Sequence, residues 1–303
     1  MSGAAVSGGS RPARLGTLTW KRQALYQAIC LFIGLTVLFP VFWVIALALD
    51  TRGLSRPDGL YLIPPNASLD NFAEAIRTPT SNPVDFWRLA LNSFLLAIGT
   101  SLFSVLIGVF AAYVFSRLHF RGRSVLMVGV LAVLMLPAVA TIAPLFILLN
   151  QVKLGDFNLR TSLVGVGLAV VSGLLPFAIW NLKGYLDTIP KDLEEAAFVD
   201  GANRNQAFLR VILPLAVPAL AVTAFLGFIS GWTEFYFSVT FLNDPQTFTL
   251  SVALNGMVGQ FATTTPWGKF AAFAILFALP VSAVYVVFQR WIIGGLAVGG
   301  VKG

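Results

Sequence analysis

Side chains able to do chemistry are scarce in this 303-residue chain and gather in two places. The first is Asp187 to Leu215, DTIPKDLEEAAFVDGANRNQAFLRVILPL, a polar island between two long apolar blocks. The second is a polar run of Ser230, Trp232, Thr233, Glu234, Tyr236, Ser238 and Thr240 in the outer half of the next block. A membrane-embedded enzyme would require paired titratable groups or metal ligands at membrane depth, and the apolar blocks offer no such pair. The lone Cys30 lies in an apolar block and the lone His119 in a short loop, which excludes an intrachain disulfide and speaks against a zinc or haem site. No stretch resembles G-x-x-x-x-G-K-[ST], so the chain has no phosphate-cradling loop of its own. Glu234 is the one ionisable residue well inside any apolar block, and an acid facing lipid is costly, so it should face a bundle interior or a wet cavity. Two roles are open to it there: lining a path across the membrane, or making a buried structural hydrogen bond.

The polar island has its own local grammar. Pro190 suits the first position of a helix, and Asp192, Glu194 and Glu195 place negative charge at its positive end. Gly201 follows where a left-handed residue would stop that helix. Asn203 can cap a second short helix, on which Phe208, Val211 and Ile212 share a face, and Pro214 is expected to close it. A helix, a sharp glycine turn and a second helix with a small apolar face form a knuckle suited to docking.

What carries the knuckle is a membrane protein. Apolar residues make up 57% of the chain and charged ones 11%, with a mean hydropathy of +0.82. The net charge of +7 flanks the apolar blocks rather than covering a soluble face, so nucleic acid is not the partner it implies; membrane lipid is. Six blocks, 24–49, 86–115, 124–149, 161–182, 215–242 and 270–293, each reach the roughly 20 residues that cross a bilayer as a helix. This predicts an all-α integral membrane protein with six transmembrane helices: a disordered basic tail over 1–22, a six-span domain over 23–303, and a loop over 183–214 between the fourth and fifth spans. The first block is far longer than the roughly 7–15 apolar residues of a signal peptide, so it is expected to be retained. Asn66-Ala67-Ser68 fits a glycosylation sequon by chance. Segment 50–85 should be lightly structured, 151–160 a short turn, and Pro137 and Pro144 tolerated inside the third span. Small residues at Gly99, Ser101, Gly108, Ala111 and Ala112, and at Gly165, Gly167 and Gly173, permit close helix packing. With both termini inside, thirteen of the twenty basic residues lie on the inner side, which puts both termini and the knuckle in the cytosol.

Glu195-Ala196-Ala197, three residues, Gly201, nine residues, Val211, one residue and Leu213-Pro214 resembles the EAA signature of the permease subunits of ABC importers; Val211 stands where the usual pattern has Ile. Asn243 to Trp267, with Thr249-Leu250-Ser251-Val252-Ala253 and Trp267-Gly268, and the end Gln289-Arg290-Trp291, Gly295-Leu296 and Gly299 to Gly303, are similar to the maltose-type, MalG-like permeases. The resemblance implies the type I ABC importer permease architecture, in the bacterial cytoplasmic (inner) membrane. It makes the loop a coupling helix, with Glu195, Ala196, Ala197, Asp200, Gly201, Leu213 and Pro214 meeting an ATPase. The implied partners are a second, MalF-like permease subunit, two copies of a MalK-like ABC ATPase that bind ATP and Mg, and an extracytoplasmic sugar-binding protein. This chain itself would bind no cofactor and hydrolyse nothing. The outer loop would reach the binding protein and the tail the ATPases, the plain alternatives being a solvated connector and a frayed end. Trp232 and Tyr236, four apart on a helix, could then stack on a sugar beside Glu234, or simply sit in an interfacial aromatic belt. An ion-coupled secondary transporter is the competing reading; it calls for several buried acids or bases, and only Glu234 is available.

Overall fold

The computed structural model describes residues 19–53, 59, 61, 63–258 and 265–299, with side chains as far as Trp291. The expected basic tail falls almost wholly outside these residues, as do Gly300 to Gly303 and the middle of the 243–267 loop. In chain order, α1 (Trp20–Leu49) leads through a segment holding α2 (Asp70–Arg77) into α3 (Phe86–Arg117). Next come α4 (Arg123–Val133) and α5 (Ile142–Gln151), a small antiparallel hairpin of β1 (Lys153–Leu154) and β2 (Phe157–Asn158), and α6 (Leu163–Leu186). The knuckle comprises α7 (Asp192–Val199), α8 (Arg204–Ala207) and α9 (Leu213–Leu215). It feeds α10 (Val217–Trp232) and α11 (Tyr236–Phe241), and the short α12 (Leu250–Gly256) then precedes α13 (Trp267–Gly299). Five stretches, α1, α3, α6, α10 with α11, and α13, are long and apolar enough to cross a membrane, and α4 with α5 makes a sixth if that bent pair is one span.

The third block is not the continuous span its composition predicts. It bends by 99° between α4 and α5. Pro137 cannot donate a backbone hydrogen bond and restrains the residue before it, so the helix ends at Val133 and resumes through a 3-10 turn at Ala138–Thr141. Pro144 is harmless because it falls in the first turn of α5, where backbone N–H groups have no helical partner. The fifth block also breaks, at Thr233 to Phe235. Within segment 50–85, residues 63–85 are more ordered than expected. Asn71 Nδ2 donates to the carbonyls of Ala48 and Asp50, and Lys269 pairs with Glu74 at 2.9 Å, which fastens α2 to the ends of α1 and α13. Residues 151–160 form the hairpin, with Gly155 at φ 60°.

α3 is the central element and packs most extensively on α6 and α10. Its contact with α10 is backbone to backbone. A Cβ at Gly227 would lie 2.8 Å from Ser101 Cα, and one at Gly231 would lie 2.7 Å from Ala97 Cα. Glycine here sets the spacing of the two helices, as small residues do where backbones meet in a membrane. Of the small residues marked in the sequence, Gly108 meets Leu182 and Ala178 of α6, whereas Gly99 and Gly173 meet nothing within 4 Å. Packing within this chain therefore does not explain the last two. Around α3 the core divides by end. At the hairpin end Phe86, Leu89, Phe228, Trp232, Leu250 and Phe273 cluster; at the knuckle end Tyr113, Leu182, Leu186, Phe208 and Ile212 do.

Candidate functional site

The knuckle folds by the local rules its residues predict. α7 carries Asp192, Glu194 and Glu195 in its first turn and ends at Gly201, whose φ of +86° only glycine adopts without strain. Two bonds complete the stop: Gly201 N–H donates to Phe198 O at 3.0 Å and Ala202 N–H to Ala197 O at 2.9 Å, the paired pattern of a left-handed helix end. Asn203 caps α8 with a reciprocal bond that the sequence reading missed. Its Oδ1 accepts from Gln206 N–H while Gln206 Oε1 accepts from Asn203 N–H, both at 2.9 Å. The signal was present, since Gln stands three residues after Asn.

Pro214 does not close the second helix. Between α8 and α9 the backbone widens into a π turn over Phe208–Ile212, in which Leu213 N–H reaches back to Phe208 O. The wider turn accommodates the missing N–H of Pro214, and the chain runs on through Ala216 into α10. The apolar face behind it is also turned the other way. Phe208 and Ile212 are buried within the chain, Phe208 with its ring 4.7 Å from that of Tyr113. Burial of two such side chains holds the knuckle on the bundle with about 1.5–3 kcal/mol each. The apolar groups left outward on the knuckle include Leu193, Phe198, Val199 and Leu209, Val199 being 88% exposed. Glu195, Ala196, Asp200, Gly201 and Pro214 are exposed beside them, with Ala197 and Leu213 half-buried.

Glu194, next to the motif, faces inward. It is buried at 6% exposure between Tyr113 and Arg117 of α3. Tyr113 Oη donates to Glu194 Oε1, and Arg117 Nε lies 3.2 Å from Glu194 Oε2. That approach is off the N–H axis, so the guanidinium and carboxylate attract as charges rather than through a hydrogen bond. Arg117 Nη2 donates to Ile189 O at 2.9 Å, and Ser116 Oγ donates to Asp187 Oδ1 at 2.7 Å. The start of the loop is thus held by three residues in the last turn and a half of α3. Nothing local in the sequence pairs residues about 70–80 positions apart.

At the opposite end Glu234 sits in the break of the fifth block and acts as a cap. Its carboxylate accepts from Phe237 N–H at 2.7 Å, Ser238 N–H at 2.8 Å and Ser238 Oγ, which starts α11. Its carbonyl accepts from Ser251 Oγ, tying the start of α12 to the break. The geometry favours the structural hydrogen bond over an open path for this side chain. Trp232 and Tyr236 do not share a helical face, because the helix stops between them. Trp232 is 2% exposed, stacked between Phe228 and Phe277, and its Nε1 donates to Phe277 O at 3.0 Å. Tyr236 is 61% exposed. Residues 246–250 are further sewn to α3: Asn92 Nδ2 donates to Gln246 O and Phe248 O at 2.8 Å each, Arg88 Nε to Gln246 O at 3.0 Å, and Leu250 N–H to Ser93 Oγ at 2.8 Å. Among the described residues no His, Cys, Asp and Glu cluster is placed to hold a metal.

Known proteins share this organisation. The chain is 37% identical over 298 residues to the maltose/maltodextrin transport system permease protein MalG of Photorhabdus laumondii, covering 94% of this chain and 97% of that one. It is 32% identical over 276 residues to the diacetylchitobiose uptake system permease protein DasC of Streptomyces coelicolor, covering 91% and 95%. Its fold is that of a chain in the crystal structure of a bacterial ABC transporter involved in alginate import, with a TM-score of 0.73 at 22% identity, covering 92% of this chain and all of the other. Residues 104–297, which hold the knuckle and the break at Glu234, match the family described as binding-protein-dependent transport system inner membrane component, and the chain belongs to that family.

Proposed function

We propose that this chain is one permease subunit of an ATP-driven sugar importer in a bacterial inner membrane, and that its knuckle couples the membrane bundle to a separate ATPase. The observation that carries the reading is the knuckle. Gly201 in a left-handed turn presents Phe198, Val199, Glu195 and Asp200 outward while Phe208 and Ile212 hold the same unit on α3 and α6. Exposed apolar side chains on a loop outside the bundle call for a protein cover. The basic residues at this end, among them Arg117, Arg121, Arg123, Lys183, Lys191, Arg204 and Arg210, favour its lying in the cytosol, where an ATPase works.

The partners are a second permease of MalF type, two MalK-like ATPases that bind ATP and Mg, and an extracytoplasmic sugar-binding protein. The chain supplies no nucleotide site. Closure of the ATPases on ATP moves the knuckles, and the bundle passes from inward- to outward-facing by a shift of population, each state differing in its affinity for nucleotide and for loaded binding protein. The sugar class is an oligosaccharide, with maltodextrin first because MalG relatives align along nearly the whole chain. Glu234 accepts three hydrogen bonds from its own chain, which supports a structural role for this acid over ion coupling. Thr233, Tyr236 and Thr240 are the exposed residues of the polar run, and of these Tyr236 on α11 offers an aromatic ring to line a path.

The test is ATPase activity in lipid of this chain co-expressed with its neighbouring permease and ATPase genes, with and without binding protein carrying maltodextrin. Stimulation only with every component and sugar present supports the reading. Sugar crossing with this chain alone, driven by an ion gradient, would sink it.

A further inference from the structure

We propose that α3 is a strut that ties the position of the knuckle to that of the outer 246–251 segment, with Tyr113, Ser116 and Arg117 as positioning residues at one end and Arg88, Asn92 and Ser93 at the other. The inference rests on the importer reading above. α3 has the build for it. It runs 32 residues, or roughly 48 Å at about 1.5 Å per residue, without an internal proline or a break. The other described spans are interrupted: Pro40 lies inside α1, Pro176 inside α6 and Pro280 inside α13, α4 and α5 bend by 99°, and α10 stops before α11. A proline leaves a helix with a missing bond and a place to flex; α3 has no such place.

Both ends are gripped by side chains. At the knuckle end Glu194, Asp187 and Ile189 O are held by Tyr113, Ser116 and Arg117. At the outer end Asn92 and Arg88 donate to the backbone carbonyls of Gln246 and Phe248, and Ser93 accepts from Leu250 N–H. Bonds to main-chain atoms fix where that segment runs, whatever its side chains are. Between the ends, Ser101 Oγ donates to Ala224 O at 2.7 Å and the glycine contacts lock α3 to α10. Close-packed elements of this kind move as bodies rather than deform, so a displacement at one end reaches the other.

The experiment uses the complete transporter in lipid and reads basal ATPase, ATPase stimulated by maltodextrin-loaded binding protein, and assembly of the complex. Asn92→Ala removes two outer bonds and Glu194→Gln removes the inner charge pair. Asn92→Ala should leave assembly and basal ATPase unchanged and cut stimulation by on the order of fivefold or more, the low end of common coupling strengths. The double variant is decisive. Distant independent sites multiply their fold-losses, whereas two cuts in one strut leave about what the worse single cut leaves. Arg117→Lys, which keeps the positive charge beside Glu194, should retain more stimulation than Arg117→Ala. Wild-type stimulation in Asn92→Ala, or a double loss equal to the product of the two single losses, overturns the strut. Should Asn92→Ala fail to assemble, Ser93→Ala removes a single bond and carries the same comparison. A wild-type complex without stimulation would instead refute the importer reading on which the strut depends.

Discussion

Replacing Gly231 by Ala adds one methyl group where α10 comes nearest to α3. The new Cβ would lie 2.7 Å from Ala97 Cα and 2.9 Å from both Leu96 O and Thr100 Oγ1, where ordinary contact begins at 3.4 Å. Relief needs a displacement of about 0.7 Å, from 2.7 to 3.4 Å, and two of the three atoms are backbone, so α10 must move as a unit from α3. The same movement stretches the Ser101 Oγ to Ala224 O bond, now 2.7 Å, toward the limit of a hydrogen bond. A radial gap of that size forfeits about a quarter to a half of each dispersion contact it opens. Overpacking of this kind costs about 1–3 kcal/mol and the weakened hydrogen bond adds about 1 kcal/mol, giving about 2–4 kcal/mol in all. The assay is reversible unfolding of the purified chain in mixed detergent micelles, followed by tryptophan fluorescence. Gly227→Ala, whose Cβ would lie 2.8 Å from Ser101 Cα, should behave alike. The double variant should cost little more than either single one, because separation of the helices for one methyl group makes room for the second. Unchanged stability of Gly231→Ala, or a double variant equal to the sum of the singles, would refute the reasoning.

The remaining expectations concern single residues. Gly201→Val puts a β-branched side chain at φ +86°, with nothing within 4 Å to clash, so the cost is backbone strain of about 1–3 kcal/mol; sugar uptake at matched expression should be lost, while Gly201→Asn, which tolerates the left-handed region, should keep most of it. Arg117→Ala leaves the buried Glu194 without its paired guanidinium and should lower stability by about 3–5 kcal/mol in thermal unfolding, with Arg117→Ala combined with Glu194→Ala less harmful than Arg117→Ala alone. Trp232→Phe keeps the stack but loses the bond to Phe277 O, so it should cost about 1 kcal/mol and leave the half-saturating sugar concentration for uptake unchanged. Asp50, outside the span, is held below the usual carboxylate range chiefly by its hydrogen bond from Arg52. A depressed folded-state pKa means that this bond's stabilisation is complete above the ordinary carboxylate pKa of about 3.9 and is lost as pH falls through the lower folded value. Asp50→Asn should accordingly flatten the acid limb of a melting-temperature profile.

How much of this was legible depends on how far apart the interacting residues are. Gly201 and Asn203 were readable because helix stops and caps are decided within a few residues. Glu194 was not, because its partners Tyr113 and Arg117 lie on another helix, and an acid in a first turn reads as solvated until something covers it. Phe208 and Ile212 gave the right face and the wrong direction, since periodicity says that a face is buried and not against what. Prolines were ambiguous in both senses. Pro137 ended a helix expected to continue, and Pro214 let one continue that was expected to end, the difference being a widened turn that no local rule signals. Gly227 and Gly231, four apart, were visible as a packing pair and went unremarked among many small residues. The length of the fifth block, 215–242, predicts one continuous helix through the polar run; in the structure α10 stops before Glu234, whose carboxylate opens α11.

The π turn at Phe208–Ile212 makes chain length a controlled variable. A residue added to or removed from a regular helix turns everything beyond it by about 100°. Here the surplus residue of the wide turn is already part of the orientation: it sets the azimuth at which Phe208 enters the space beside Tyr113 and Gly201 swings α7 outward. Residues 202–213 therefore behave as a gauge block. Their side chains can change within the limits of burial, but deleting a single position would restore an ordinary helix and aim the knuckle at the wrong quarter of its partner.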